Sequence, residues 1–139
     1  MRQLPRDAGL TLLELLVVVT ILVLLTVAIG TVALNYLGGA KVDAARLQMT
    51  QITSGLDLYR LHVGRYPSEA EGLQALVAVP AEADRWQGPY LRREGALIDP
   101  WGTPFQYASP GQDGPYDLIS LGSDGQEGGE DEAADLVAN

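Results

Sequence analysis

The stretch that decides the fold reads DAGLTLLELLVVV, residues 7–19. It opens an apolar segment, residues 10–34, that is twenty-five residues long and carries Glu14 as its only charge. At ~1.5 Å rise per residue, a helix of this length crosses the ~30 Å hydrocarbon core of a bilayer. The segment lacks the A-x-A type cleavage site that closes a secretory signal peptide. We therefore expect it to remain on the mature protein as a membrane helix.

Glu14 is out of place in such a segment. A carboxylate inside the membrane costs about 2.5 to 3.5 kcal/mol on insertion scales unless it is paired or neutralised. If the chain is cut after Gly9, the new amine of Leu10 can be its partner. Within one helix that contact is awkward, whereas a neighbouring helix staggered along the axis makes it easily, so the pairing indicates an assembly of many copies. The alternative is a Glu14 side chain that reaches the membrane surface or is protonated, near a helix start whose dipole favours negative charge.

The next segment is amphipathic, and its apolar residues recur at spacings of three and four. They are Val42, Ala45, Met49, Ile52, Leu56, Tyr59 and Val63. This is the stripe of one helix face. With no proline between Pro5 and Pro67, we predict one helix from about Leu10 to about Val63, ended by Gly64. Periodicity alone fits a filament core with a small head, and it also fits a single-pass anchor with a helical stalk, which is the more common case.

Beyond Gly64 the chain is rich in proline and glycine. Ser68 and Glu71 have the spacing of a capping box, which predicts a short helix through about Ala78. Residues 105–108 and 116–121 are typical of two short strands. A small antiparallel sheet packed on the helical stripe would bury both apolar faces, so the predicted class is α+β.

Charge and composition limit the function. The chain has 9 basic and 18 acidic residues, a formal charge of −9, which disfavours nucleic acid as a partner. No Lys or Arg follows Arg93, and acids crowd the C-terminal end, as in a solvated tail or a cation site. There is no cysteine, so a small head needs a stabilising element other than a disulfide.

The sequence gives no sign of an enzyme. It lacks a pattern for a nucleophile with its base, for a phosphate-binding loop, or for a metal site that contains histidine. A monomeric membrane-anchored enzyme or calcium sensor is the remaining alternative to a filament subunit.

Several motifs carry a resemblance to a known family. Residues 9–14, GLTLLE, resemble the type IV prepilin signal, in which a prepilin peptidase cuts after the glycine, here Gly9, and methylates the new N-terminal amine, here Leu10. Downstream, five segments resemble the major pseudopilin (protein G) family of the type II secretion system in order and spacing. They are YRLHVGRYPS (59–68), EGLQAL (71–76), GPYL (88–91), DPWGTPFQY (99–107) and GPYDLISLGSDG (114–125).

This resemblance implies a type IV pilin-like fold, a long N-terminal helix packed on a small antiparallel sheet with a C-terminal loop region. The chain would comprise a leader peptide (1–9), a hydrophobic transmembrane and filament-core helix (10–35), and a periplasmic head (36–139). Arg2 and Arg6 before the apolar segment favour a cytoplasmic N-terminus in the bacterial inner membrane.

The function that the resemblance implies is structural. Subunits would self-assemble into a helical periplasmic pseudopilus that drives folded exoproteins through the outer-membrane secretin, with Glu14 meeting the Leu10 amine of a neighbour. The partners would be minor pseudopilins, the prepilin peptidase and the inner-membrane assembly platform. A type IV pilus pilin is the alternative; such a pilin often has a C-terminal disulfide, which this cysteine-free chain cannot form.

The family also binds a structural calcium ion in the loop after the last predicted strand. Calcium takes six to eight oxygen ligands, which carboxylates and backbone carbonyls of a glycine-rich loop can supply. Here the resemblance implies Asp124 and the Leu121 carbonyl, with the Gln126 carbonyl, Asp131 and Asp135 as further candidates. The EF-hand pattern is absent, and a solvated acidic tail is the alternative.

Overall fold

The computed structural model describes residues 11–138, and for residues 28–36 it describes the backbone alone. The regular elements of this part of the chain follow one another in a simple order. They are α1 (Leu12–Val63), two 3-10 helices (Leu73–Leu76 and Glu94–Leu97), β1 (Gln106–Ala108), β2 (Asp117–Ser120), a third 3-10 helix (Asp131–Ala133) and β3 (Leu136–Ala138). The predicted α+β class and the single long helix are confirmed.

The chain divides into two units, Met1–Leu37 and Gly38–Asn139, and we call the second unit the head. In the first unit, α1 begins after Thr11, whose Oγ1 accepts a hydrogen bond from the Glu14 backbone N–H at 3.2 Å. A threonine in this position satisfies one of the free N–H groups of the first helical turn. From Leu12 to Val27 every side chain is exposed.

No helix among the described residues is long and apolar enough to cross a membrane. The span predicted for residues 10–35 therefore stays a prediction.

In the head, the predicted stripe of α1 is the buried face of the helix. Four of its residues are fully buried, namely Ala45, Ile52, Leu56 and Tyr59, and Met49 is nearly so. Val42 and Val63, at the two ends of the stripe, are half-buried. The 3,4 spacing therefore predicted the core-facing side of this half of α1 correctly.

The end of α1 is also as predicted. Gly64 has a φ of 91°, a left-handed conformation that favours glycine, and its N–H bonds the Arg60 carbonyl at 2.8 Å. The capping box then forms in both directions. Glu71 Oε2 accepts from the Ser68 N–H at 2.7 Å, and Ser68 Oγ accepts from the Glu71 N–H at 3.3 Å.

The helix predicted to follow this box, through Ala78, is wrong as an α-helix. The capping box closes a turn that ends at Gly72, and Gly72 has a φ of 58°. A residue in that conformation cannot continue an α-helix. Only the 3-10 helix Leu73–Leu76 forms, although Leu73 and Leu76 are buried as expected.

The sheet has the order β1-β2-β3 with both pairs antiparallel. β1 and β2 match the two predicted strands, and the sequence analysis missed β3, which pairs Val137 with Ile119. The sheet packs on α1 as predicted, because Leu118 of β2 and the neighbouring Phe105 and Tyr116 lie in one buried cluster with the α1 stripe. Three antiparallel strands with one covered face form a stable unit.

Candidate functional site

The processing and assembly residues lie at the start of the chain. Gly9 and Leu10 fall outside the described residues, so their predicted roles are untested. Glu14 stands in the first turn of α1 with an exposed side chain. Among residues 11–138, no cation lies within salt-bridge distance of its carboxylate. Glu14 is thus available to a partner from outside this part of the chain.

A buried carboxylate, Asp99, joins two of the motifs singled out in the sequence. Its Oδ1 accepts hydrogen bonds from the backbone N–H groups of Trp101 at 3.1 Å and Thr103 at 2.8 Å. Its Oδ2 accepts from Ser120 Oγ of β2 at 2.8 Å. Both Asp99 and Ser120 are buried, and their polar atoms are satisfied by one another and by the turn. The DPWG turn is therefore held onto the sheet at the point where the chain leaves β2.

Sequence reasoning did not identify Asp99 as a structural residue. An aspartate that bonds the backbone two and four residues later is a recognised turn device, and that local signal was present in the DPWG motif. The partner Ser120 lies 21 residues away, and no local pattern predicts such a contact.

The loop that follows β2, residues 121–135, is closed on itself by hydrogen bonds. We call it the C-terminal loop. The Ser123 N–H bonds the Glu132 carbonyl at 2.9 Å, and Asp135 Oδ2 accepts from the Gly128 N–H at 2.8 Å. Asp124 Oδ1 accepts from the Gln126 N–H at 3.1 Å. Every residue predicted to bind calcium lies at or within this closed loop.

Tight backbone geometry shapes the C-terminal loop. Gly122 has a φ of 64°, and a Cβ there would overlap the backbone of Ala133. Asp131 is the non-glycine residue with a positive φ, 53°, in the described chain, a conformation that costs free energy in an L-residue. Near the other side of the loop, the Glu132 carboxylate packs over Gly38 of α1, where any side chain would overlap it. The C-terminal loop therefore packs closely against α1 and is not a solvated tail.

One carboxylate oxygen of the C-terminal loop is suited to bind a cation. Asp135 Oδ1 is buried and has no hydrogen-bond partner within the described chain. Leaving a carboxylate oxygen buried and unpartnered is costly. Three or more His, Cys, Asp or Glu side chains do not gather at metal-binding distance anywhere in residues 11–138. A cation in this loop would therefore depend on backbone carbonyls as well as on carboxylates.

A second charged contact holds the start of the head's loop region. Arg65 Nη2 donates to Glu71 Oε1 at 2.8 Å, and Arg65 Nη1 binds Glu71 Oε2, so the pair is bidentate. The Arg65 guanidinium, helped by the Ser68 hydrogen bonds, lowers the pKa of Glu71 to about 2, against the effect of partial burial. Glu71 thus serves both the capping box and the ion pair.

Comparison with known proteins identifies the family to which this chain belongs. Residues 33–139 match the family model described as type II secretion system (T2SS), protein G, and residues 4–30 match the prokaryotic N-terminal methylation motif. The chain belongs to the type II secretion system protein G family. The family resemblance read from the motifs is confirmed.

Individual members of the protein G family are similar to the chain over nearly its full length. It is 41% identical to the type II secretion system core protein G of Pseudomonas aeruginosa over 135 residues, covering 94% of each chain. The core protein G of Vibrio cholerae is 40% identical, over 98% of this chain and 94% of that protein. The protein of the same name in Escherichia coli K12 is 34% identical.

A solved structure supports the fold. The crystal structure of the major pseudopilin from the type 2 secretion system of enterohaemorrhagic Escherichia coli matches with a TM-score of 0.59 and 35% identity, covering 71% of this chain and 86% of that one. The pilin-like fold class is confirmed. As a member of this family the chain is a pseudopilin, a structural subunit of the type II secretion system, and this decides against a type IV pilus pilin.

Proposed function

We propose that this chain polymerises in the bacterial inner membrane into a periplasmic pseudopilus that drives folded exoproteins through the outer-membrane secretin. The observation that carries the proposal is the first part of α1, where the side chains from Leu12 to Val27 are exposed although nearly all are apolar. Apolar surface on this scale is unfavourable in water. Lipid around the monomer and neighbouring helices in a filament would each cover it.

The maturation step follows from the methylation motif, which spans the junction of leader and helix. The prepilin peptidase would cut between Gly9 and Leu10 and methylate the Leu10 amine. Glu14 would then meet the Leu10 amine of a neighbouring subunit, because no cation of residues 11–138 neutralises its carboxylate. The chain would cross the inner membrane once, with its N-terminus cytoplasmic and the head periplasmic.

The remaining partners follow from the same proposal. Minor pseudopilins and the inner-membrane assembly platform would contact the subunit during filament growth. The chain would act without catalysis, since its contribution is a helix and a head that repeat along a filament.

A calcium ion in the C-terminal loop is part of the proposal. The unpartnered, buried Oδ1 of Asp135 suits a cation, and calcium favours mixed sets of carboxylate and carbonyl oxygens. Asp124, Asp131 and Asp135 would supply carboxylates, with the carbonyls of Leu121 and Gln126. The ion would tie the end of β2 to the start of β3 and stabilise a head that has no disulfide.

Complementation tests the proposed function. The full chain is expressed in a bacterium that has a type II secretion system but lacks its own protein G, and secreted enzyme is assayed in the medium. We expect secretion to be restored and mass spectrometry to find a mature N-terminus at methylated Leu10. A chain that is processed and stable but leaves the exoproteins in the periplasm would contradict the proposal. As a control, Gly9→Val should block both processing and secretion.

A further inference from the structure

The buried face of α1 begins, within the head, at Gly38. This residue is buried, and it lies four residues before Val42 and seven before Ala45 on the core-facing stripe. Its neighbours Leu37 and Gly39 are exposed. Because a glycine has no side chain that could pack into the core, another part of the chain must cover it.

The Glu132 side chain of the C-terminal loop covers Gly38. A Cβ on Gly38 would overlap the Glu132 carboxylate, whereas a Cβ on Gly39 would have no atom within 4 Å. No cation of residues 11–138 lies within salt-bridge distance of this carboxylate. The contact is therefore one of packing on the backbone of α1, and it depends on the absence of a side chain at Gly38.

The backbone of the C-terminal loop holds Glu132 in this position. Its carbonyl accepts a hydrogen bond from the Ser123 N–H at 2.9 Å, close to the end of β2. Beside Ser123, Gly122 has a φ of 64°, and a Cβ there would overlap the Glu132 carbonyl and the backbone of Ala133. The side chain that covers α1 is thus fixed by a backbone contact with the end of the sheet.

Gly38 and Gly39 are a weak point of α1. Glycine in a helix interior disfavours the helix relative to alanine and exposes the backbone to water. Helix hydrogen bonds that water can reach are the ones that open most readily. Nevertheless α1 continues through both glycines, from Leu12 to Val63. The Glu132 side chain shields one side of the helix at this point.

We propose that the C-terminal loop controls the local opening of α1 at residues 38–42. With the loop closed, Glu132 covers Gly38 and the helix stays intact. With the loop open, Gly38 is exposed and the helix opens there more often. Such a coupling is reciprocal, so displacing Glu132 from the helix must also loosen the loop.

The location gives this coupling its importance. Gly38 and Gly39 are the first two residues of the head, so the turn that opens is the one through which the chain enters it from the apolar first part of α1. The inference goes beyond the proposed function, because it concerns a single subunit and holds whether or not subunits polymerise.

Amide hydrogen exchange, resolved by nuclear magnetic resonance on the full chain in detergent micelles, tests the coupling from both sides. Glu132→Ala removes the covering side chain, and its control Glu130→Ala removes an exposed carboxylate of the same loop. Gly38→Ala places a methyl group where the Glu132 carboxylate lies, and its control Gly39→Ala adds the same group in open space. The amide of Ile52, in the buried stripe, reports whether the head stays folded.

We expect Glu132→Ala to speed exchange at residues 38–42 by about tenfold, and Glu130→Ala to leave it unchanged. Gly38→Ala should speed exchange of the Ser123 N–H by about tenfold, and Gly39→Ala should not. A preference of alanine for helix would by itself only add protection, so faster exchange at Ser123 requires the displaced loop. In a chain that already carries Glu132→Ala, Gly38→Ala should have no further effect on Ser123.

Two results would overturn the proposal. One is unchanged exchange at residues 38–42 in Glu132→Ala, and the other is a Ser123 N–H that responds equally to Gly38→Ala and Gly39→Ala. If Gly38→Ala also lost protection at Ile52, the head would have unfolded as a whole, and the comparison of Glu132→Ala with Glu130→Ala would decide. These measurements do not involve filaments, so their failure would leave the proposed polymerisation standing.

Discussion

The two parts of α1 use the same kind of residue in opposite ways. From Leu12 to Val27 the helix is almost entirely apolar and every side chain is exposed, Leu12 most of all at 86%. In the head, one apolar stripe of the helix faces the core, and Ile52 and Leu56 in it are completely buried, although Leu61 on another face is exposed. The head therefore buries this stripe within its own core, whereas the first part of the helix needs lipid or other copies to cover its apolar surface. In the function proposed here, the head provides the folding stability of the subunit and the first part of α1 provides its assembly surface.

The largest effect should come from the single charge of the first region. Glu14→Leu removes the carboxylate proposed to meet the Leu10 amine of a neighbour and leaves the contacts of the head untouched. We expect processing to continue and copy-to-copy crosslinking in membranes to be lost, with the thermal unfolding midpoint of the head unchanged. As a control, Glu69→Leu, at an exposed position of the head, should leave crosslinking intact. Normal crosslinking in Glu14→Leu would contradict the claim that assembly depends on the first part of α1.

Calcium removal should act on the head alone. A ligand that binds only the folded state stabilises it by about 2.7 kcal/mol at one hundred times its dissociation constant. For a domain of this size that is a shift of about 10 to 20 °C in the unfolding midpoint. We expect this difference between excess calcium and excess chelator for a fragment of residues 38–139, measured by circular dichroism.

The matched variants for the calcium experiment are Asp124→Ala, which should abolish the shift, and Asp113→Ala, which should keep it. Equal midpoints in calcium and chelator for the unsubstituted head would remove the proposed ion and leave the hydrogen bonds of the C-terminal loop to hold it closed.

Loss of the buried Asp99 carboxylate should destabilise the head by a similar amount. Asp99→Ala leaves three groups without their acceptor, the N–H groups of Trp101 and Thr103 and the hydroxyl of Ser120. An unsatisfied buried donor costs about 1 to 3 kcal/mol, and the Ser120 hydroxyl can turn to another acceptor, so we expect a loss of about 2 to 3 kcal/mol in urea unfolding. Asp99→Asn retains one oxygen for the two N–H groups and should cost under about 1 kcal/mol. If the two variants were equally unstable, the negative charge rather than hydrogen bonding would be the important property.

The smallest effect should be the pH dependence from Glu71. Its pKa is about 2 in the folded head and near the ordinary glutamate value in the unfolded chain. A lowered folded-state pKa means that the stabilisation is fully present above about pH 4.5 and is lost as the pH falls towards 2. Because Arg65 is 40% exposed, we expect only about 1 kcal/mol. Glu71→Gln should remove this part of the acid sensitivity, and an unchanged slope between pH 4.5 and 2.5 would contradict the assignment.

The sequence-based predictions that proved correct depend on residues that are close together in the chain. The stripe from Val42 to Val63 and the stop at Gly64 depend on neighbouring residues, and the structure has both. The capping box at Ser68 was also local and correct, but the helix expected after it fails because Gly72 adopts a left-handed conformation that nothing in the pattern required. β3 was missed because three residues at the end of the chain have no strand periodicity, and its partner β2 is 16 or more residues away.

The candidate sites were less predictable for the same reason. The C-terminal loop closes through pairs such as Ser123 with Glu132 and Gly128 with Asp135, and spacing along the chain cannot say which carbonyls and carboxylates will converge. The close fit of Glu132 on Gly38 joins residues 94 positions apart, and neither residue signals it. The motifs identified the family, whereas the arrangement within the loop required the fold.

The central claim is that this chain is a filament subunit whose assembly depends on the first part of α1. Electron microscopy of material sheared from cells that overproduce the full chain together with the secretion apparatus tests it most directly. The account predicts thin helical filaments that contain the chain with a methylated Leu10 terminus, and none from cells carrying Glu14→Leu. Processed, folded protein that stays monomeric in the membrane, or filaments that form equally well without the Glu14 carboxylate, would contradict it.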